Sequence, residues 1–228
     1  MGRIVALILA GGTGERMGSG TPKQLLDLAG KPVIIHTLLN FEHSAKISDI
    51  IVVSNPGIVT RVAEEAERYG VSKLRDIVPG GATRQASSRI GVRNCPEDTD
   101  IILIHDAVRP LAGPGLIDDI VCGAISDGAC IPAVAVKDTM VESSGDYIGN
   151  VPDRGRMMSV QTPQGFRRDI IQEAHMSAEK GGIKDATDDS CLVLAMGAKV
   201  RIARGDERNL KITGPVDLAL AGCLLAKN

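Results

Sequence analysis

Short, unbroken apolar runs rich in valine and isoleucine recur at residues 4–9, 47–53, 74–78, 101–104, 129–136 and 200–203. A strand with one wet face alternates apolar and polar side chains, so continuous runs describe strands covered on both faces. Between them lie stretches with apolar residues at helical spacing, at 32–42, 58–69, 84–92, 116–125 and 167–178, and residues 215–226 close the chain in the same way. Strands alternating with helices predict a Rossmann-like α/β sandwich with a mostly parallel sheet, and 228 residues suffice for one such domain over 1–228. Ligands of these sheets bind at the carboxyl ends of the strands, so the loops after each strand are where chemistry is expected.

One segment breaks the alternation. Residues 137–160 hold short β-prone pieces around Ser144-Gly145-Asp146 and little apolar content of their own, which predicts a protruding hairpin arm. An isolated two-stranded hairpin is marginal in water, so the arm is expected to lean on a second subunit in a homodimer.

Composition removes several classes of partner. Aromatic residues make up 2% of the chain, with no tryptophan, so neither a base-stacking platform nor an aromatic protein interface is expected. Lysine plus arginine number 26 against 28 acidic residues, a net charge of −2 that offers no basic field to nucleic acid or an anionic membrane. An anionic ligand must therefore be held by a local cluster of cations. The five cysteines include no Cys-x-x-Cys pair, and the first apolar run ends in glycines after six residues, so a reducing, cytoplasmic setting is expected.

The first strand runs into Leu9-Ala10-Gly11-Gly12-Thr13-Gly14-Glu15-Arg16, followed by Pro22-Lys23-Gln24. Glycines directly after a buried strand let backbone N–H groups approach a phosphate, and Arg16 and Lys23 add charge nearby. Two familiar phosphate loops fail on the letters: a dinucleotide fingerprint starting at Gly12 needs glycine where Met17 stands, and Gly-Lys-Ser/Thr never occurs. The third strand gives way to Gly80-Gly81-Ala82-Thr83-Arg84-Gln85-Ala86-Ser87, in which Thr83 is placed to cap a helix, backbone groups beside Ser87 face a base edge, and Arg84 faces phosphate or braces the loop. The fourth strand ends in His105-Asp106-Ala107-Val108-Arg109-Pro110. A carboxylate there suits Mg²⁺, which takes one or two carboxylates plus phosphate oxygens, so Asp106 is the candidate metal ligand. His105 reads as a structural residue, and Arg109 as either a substrate contact or a pin for the arm. Residues 205–213 join the last strand to the last helix, with Thr213 as the expected N-cap and Lys211 just outside it.

Together these segments resemble the 2-C-methyl-D-erythritol 4-phosphate cytidylyltransferase family, which is related to the ribitol 5-phosphate cytidylyltransferases. The resemblance rests on the glycine loop with Arg16 and Pro22-Lys23-Gln24, Gly80-Gly81-x-x-Arg84-x-x-Ser87, and residues 105–110. It continues through Lys137-Asp138-Thr139, Asp153-Arg154, residues 161–166, Thr187-Asp188-Asp189 and residues 209–213. It implies a homodimeric nucleotidyltransferase that moves a cytidylyl group from CTP to a polyol phosphate. Arg16, Lys23, Arg154 and Lys211 are then the catalytic cations. Ala10, Gly11, Gly12, Thr13, Gly14, Gly80, Gly81, Arg84 and Ser87 would hold CTP, Asp106 would sit near Mg²⁺, and Arg109 and Thr139 would line the acceptor pocket, the arm of one subunit reaching its partner's site. The 136–139 and 186–189 segments resemble the methylerythritol branch. Residues 9–12 are similar to the ribitol branch as well, and Met158 stands where the methylerythritol branch often carries tryptophan, so ribitol 5-phosphate is the alternative acceptor. A non-catalytic nucleotide-binding domain would keep the glycine loops but could discard the acceptor-side cations, whereas Thr139, Arg154 and Lys211 are all present here.

Overall fold

The computed structural model describes residues 2–12 and 21–226. The chain runs β1 (Arg3–Ala10), β2 (Asp27–Leu28), β3 (Lys31–Pro32), α1 (Val33–Glu42), β4 (Asp49–Ser54), α2 (Val59–Arg68), β5 (Leu74–Pro79), α3 (Arg84–Asn94), β6 (Thr99–Asp106), α4 (Pro114–Asp127) and β7 (Ala129–Ala135). After these come β8 (Glu142–Ser144), β9 (Tyr147–Asn150), β10 (Met158–Val160), β11 (Gln164–Arg167), α5 (Arg168–Lys180), α6 (Asp189–Ala195), β12 (Arg201–Arg204) and α7 (Pro215–Leu225).

The described strands build an eight-stranded sheet in the order β10-β7-β11-β6-β1-β4-β5, with β12 paired to β7. The pairs β1–β4, β1–β6, β4–β5 and β7–β12 are parallel, while β10 and β11 run antiparallel to their neighbours. The unbroken apolar runs have the expected cause. In β1, Ile4, Ala6 and Ile8 pack with α1, α2 and α4, and Val5 and Leu7 pack with α3, α5 and α6 on the other face. Burying each of the isoleucine, valine and leucine side chains among these stabilises the fold by roughly 1.5–3 kcal/mol before entropy is counted.

Helix α3 lies especially close to β1, because Gly91 has no side chain: a Cβ there would stand 2.3 Å from Leu7 Cδ1. That close approach brings the first turn of α3 up to the carboxyl end of β1. Two elements have weak sequence signals. Strand β11, wedged antiparallel between β6 and β7, contains one large apolar residue, Phe166, too short a pattern to read as a strand. Helix α6 spans seven residues and is nucleated by Asp188, whose carboxylate accepts from Cys191 N at 3.0 Å.

The arm takes the expected form with a narrower hairpin. Strands β8 and β9 pair around Gly145, which adopts a φ of 61°, and β10 then rejoins the main sheet against residues 133–135 of β7. The hairpin exposes Met140, Val141, Tyr147, Ile148 and Val151, apolar side chains with no cover in a single chain.

Candidate functional site

Strands β1 and β6 are neighbours, yet the chain leaves β1 for β4 and β5 on one side before returning to β6 on the other. Loops that depart in opposite directions leave a crevice at the strand ends, the position where open α/β sheets bind ligands. Here a cavity of about 400 Å³ is lined by Ala10, Gly11, Gly12, Lys23, Gly81, Arg84, Ser87, Asp106 and Lys211, among others. A larger cavity of about 600 Å³ opens at the amino end of the sheet, among Thr99, Asp100, Arg167 and Asp169, but it lies away from the carboxyl ends of the strands and contains no glycine turn. The strand-end cleft is therefore the candidate site.

Its floor is set by Gln24, a buried residue to which the sequence gives no evident role. The Gln24 side-chain amide donates to Ala10 C=O at 2.9 Å and to Gly12 C=O at 3.2 Å. Those bonds tie the Ala10–Gly12 backbone to Gln24, and Lys23, the adjacent residue, enters the cleft wall. Thr13, Gly14 and Arg16 lie outside the described residues.

The second wall comes from the end of β5. Thr83 caps α3 as expected, its hydroxyl accepting from Ala86 N at 3.1 Å. Ser87 accepts from Gly81 N at 3.1 Å and donates to Thr83 C=O at 2.9 Å, so the hydroxyl pins this turn. The Gly80 N–H donates to Ser54 C=O at 2.8 Å, which commits this amide to the sheet edge. Gly80 acts sterically, since a Cβ there would meet Ser87 Oγ at 2.9 Å.

Asp106 is the electrostatic centre. Lys211 Nζ stands 2.9 Å and Arg109 Nε 3.6 Å from Asp106 Oδ2, and Arg84 Nε lies 3.7 Å from Oδ1. Burial alone would raise the carboxyl, but Lys211 first, then Arg84 and Arg109, outweigh it and hold Asp106 well below the usual carboxylate range. The neighbouring His105 is structural, as expected. Thr162 Oγ1 accepts from Asp106 N at 3.1 Å, so its own proton goes to His105 Nδ1 at 2.9 Å, leaving His105 Nε2–H to donate to Arg109 C=O at 3.1 Å. Burial pushes this imidazole down to about 4 and keeps it neutral.

Lys211 reaches Asp106 because its segment is tied down along its length. Arg109 Nη1 donates to Asn209 C=O at 2.8 Å, Asn209 Nδ2 donates to Thr162 C=O at 2.8 Å, and Ile212 N donates to Val108 C=O at 2.9 Å. Arg109 thus braces the segment at Asn209 rather than the arm, and it is not among the cleft-lining residues. The expected cap at Thr213 is also revised. Gly214 is the N-cap of α7, and Asp217 Oδ2 accepts from Thr213 N, Thr213 Oγ1 and Gly214 N at 2.6–2.8 Å.

The remaining two expected residues stay apart from this cleft within one chain. Arg154 lies on the exposed arm with Nη1 donating to Lys137 C=O at 2.8 Å, and Thr139 is exposed on the same arm. Among the described residues no group of three or more His, Cys, Asp or Glu side chains is arranged to hold a metal ion, so Asp106 is a single carboxylate beside the cleft. No described helix is long and apolar enough to cross a membrane.

Comparison with known proteins adds the following. The model of the 2-C-methyl-D-erythritol 4-phosphate cytidylyltransferase family matches residues 4–227. The 2-C-methyl-D-erythritol 4-phosphate cytidylyltransferase of Geobacillus kaustophilus is 39% identical over 97% of this chain and 96% of its own length. That of Pelotomaculum thermopropionicum is 40% identical over 99% and 95% respectively. Among solved structures, the cytidylyltransferase of the same name from Thermus thermophilus superposes with a TM-score of 0.81 at 33% identity, covering 98% of this chain and 99% of that one. The 4-diphosphocytidyl-2C-methyl-D-erythritol synthase of Anaerococcus prevotii gives 0.85 at 27% identity, with 99% of both chains covered.

Proposed function

The chain belongs to the 2-C-methyl-D-erythritol 4-phosphate cytidylyltransferase family, and on that premise we propose how its strand-end cleft works. The enzyme transfers a cytidylyl group from CTP to 2-C-methyl-D-erythritol 4-phosphate, releases pyrophosphate and yields 4-diphosphocytidyl-2-C-methyl-D-erythritol, an isoprenoid precursor. The observation that carries the assignment of the site is the convergence of Lys23, Lys211 and Arg84, from distant parts of the chain, on glycine turns beside Asp106.

A phosphate monoester has its second pKa near 6, so the acceptor arrives at neutral pH largely as a dianion. One of its oxygens attacks the α-phosphorus of CTP while the bond to pyrophosphate breaks, and no side chain has to remove a proton. The cleft agrees with this chemistry, since its wall holds cations and backbone amides and its one nearby imidazole, His105, is occupied by two hydrogen bonds. The main barrier is bringing two anions together. Lys23 and Lys211 offset that repulsion, and fixed donors of this kind are typically worth about 10²–10³ in rate. Gly11, Gly12 and Gly81 allow backbone to approach the nucleotide. The ion pair with Asp106 holds the Lys211 ammonium at the cleft before substrate arrives.

We assign Mg²⁺ to Asp106. Asp106 would offer the ion Oδ1, which Arg84 Nε faces at 3.7 Å, while Oδ2 stays paired with Lys211; one carboxylate is what Mg²⁺ needs when phosphate oxygens and water complete its shell. When bound, the ion supplies positive charge that neutralises the triphosphate. We further assign a homodimer in which the arm crosses to the partner, bringing Arg154 and Thr139 to the acceptor side of the other cleft. The exposed apolar row on the arm supports this reading, as does the exposure of Arg154 itself. The five unpaired cysteines support a cytoplasmic setting.

Pyrophosphate release from CTP and Mg²⁺ tests the reaction, with 2-C-methyl-D-erythritol 4-phosphate and ribitol 5-phosphate offered separately. Release with the methylerythritol compound is expected. The relatives compared above all carry the methylerythritol name, which does not favour ribitol phosphate. Release with ribitol phosphate alone would reverse the acceptor, and none with either would support a nucleotide-binding protein without catalysis.

A further inference from the structure

Behind the cleft wall, two buried polar side chains that the reaction does not use meet at a third, the carboxylate of Asp189. Asp189, in the first turn of α6, receives the Ser88 hydroxyl of α3 on Oδ1 and has His175 Nε2 of α5 at 3.2 Å from the same oxygen. Its other oxygen, Oδ2, accepts from Arg84 Nη1 at 2.7 Å. Ser88, His175 and Asp189 are 0%, 4% and 1% exposed, so none of them reaches a substrate.

A serine, a histidine and an aspartate this close suggest a nucleophile, but the order is wrong for one. A nucleophilic serine gives its proton to the imidazole, and the carboxylate stands behind the imidazole. Ser88 Oγ lies 3.4 Å from His175 Nε2, but its proton goes to the carboxylate, which both side chains share in the middle of the cluster. A carboxylate stripped of water needs full compensation, and the partners that compensate it also fix its orientation. With Oδ1 tied to α3 and α5, Oδ2 is left aimed at Arg84.

Arg84 is the element of this cluster that lines the cleft, and its Nε faces Asp106 across 3.7 Å. Two carboxylates on different sides therefore grip one guanidinium. An arginine without the buried partner regains rotamer freedom that binding must then remove. We propose that Asp189, held by Ser88 and His175, is a positioning residue for nucleotide binding, fixing Arg84 in the orientation that meets the phosphates of CTP. The inference rests on the reading above that this cleft takes CTP.

Asp189→Asn keeps the shape and removes the charge, and Ser88→Ala removes one anchor of the carboxylate. Each is made alone and on an Arg84→Ala background, and KM for CTP, KM for the acceptor, kcat and the melting temperature are measured. Arg84→Ala is expected to raise KM for CTP. Asp189→Asn is expected to raise it about tenfold, with the acceptor KM little changed, and Ser88→Ala to raise it less. On the Arg84→Ala background neither should raise it further, although the melting temperature still falls. An equal rise with and without Arg84 overturns the proposal, as does an unchanged CTP KM in folded Asp189→Asn and Ser88→Ala enzymes while Arg84→Ala raises it. If Asp189→Asn does not fold, Ser88→Ala and His175→Gln decide by the same comparison. An unchanged CTP KM in Arg84→Ala removes Arg84 from the nucleotide site, and the inference falls with that placement.

Discussion

Lys211 Nζ lies 2.9 Å from Asp106 Oδ2, so the segment before the last helix is ion-paired to the end of β6 at the mouth of the cleft. Because Arg84 and Arg109 also face Asp106, removing the lysine leaves the carboxylate compensated. Lys211→Ala is therefore expected to fold normally and to lose about 10²–10³ in kcat. Circular dichroism alongside steady-state kinetics checks both halves, and wild-type turnover in a folded variant would remove Lys211 from catalysis.

Acid should destabilise the enzyme in two stages. His105 has a folded value of about 4 against about 6.5 unfolded, so between these values the unfolded chain binds more protons. Its contribution is whole above about pH 6.5 and is lost as pH falls toward 4, on the order of 3 kcal/mol in all. His36, also lowered chiefly by burial, adds to the same stage. Asp106 and Asp189 are held below the ordinary carboxylate range against the opposing effect of burial, so their contribution is whole above about pH 3.9 and is lost below it. Urea midpoints between pH 7.5 and 4 should fall with pH, and His105→Asn should flatten that fall. An equal slope in the variant would exclude His105 as a source.

Gln24→Leu keeps the volume and removes the donor shared by the Ala10 and Gly12 carbonyls. The expected cost is about 1–3 kcal/mol of stability, with a raised KM for CTP because the Ala10–Gly12 backbone loses its tie to Gln24. Denaturant titration and CTP kinetics measure the two effects. An unchanged KM at reduced stability would make Gln24 a core residue only.

Ile148 is 66% exposed on the arm hairpin. If the arm packs on a second subunit, Ile148→Asp places a charge in that interface and is expected to shift sedimentation from dimer to monomer, with activity falling together with the dimer. A wild-type protein that sediments as a monomer at assay concentration would refute the shared site.

Removal of divalent ions by EDTA should reduce turnover more than tenfold, and added Mg²⁺ should restore it, if Asp106 and the triphosphate share an ion. Full activity in EDTA would leave Asp106 with its ion-pairing role alone.

The sequence by itself determined the layered fold, because strands such as β1 that are buried on both faces must be apolar at every position, a pattern visible without any long-range contact. The Thr83 cap was likewise legible, since its signal spans a few neighbouring residues. Strand β11 was hidden, since its place between β6 and β7 is set by pairing to distant residues and its own apolar content is a single phenylalanine. Only the tertiary structure decided that Gly80 gives its amide to Ser54, that Arg109 braces Asn209, and that Asp189 stands behind Arg84, because hydrogen bonds and ion pairs between residues up to 105 positions apart leave no periodic trace in the chain.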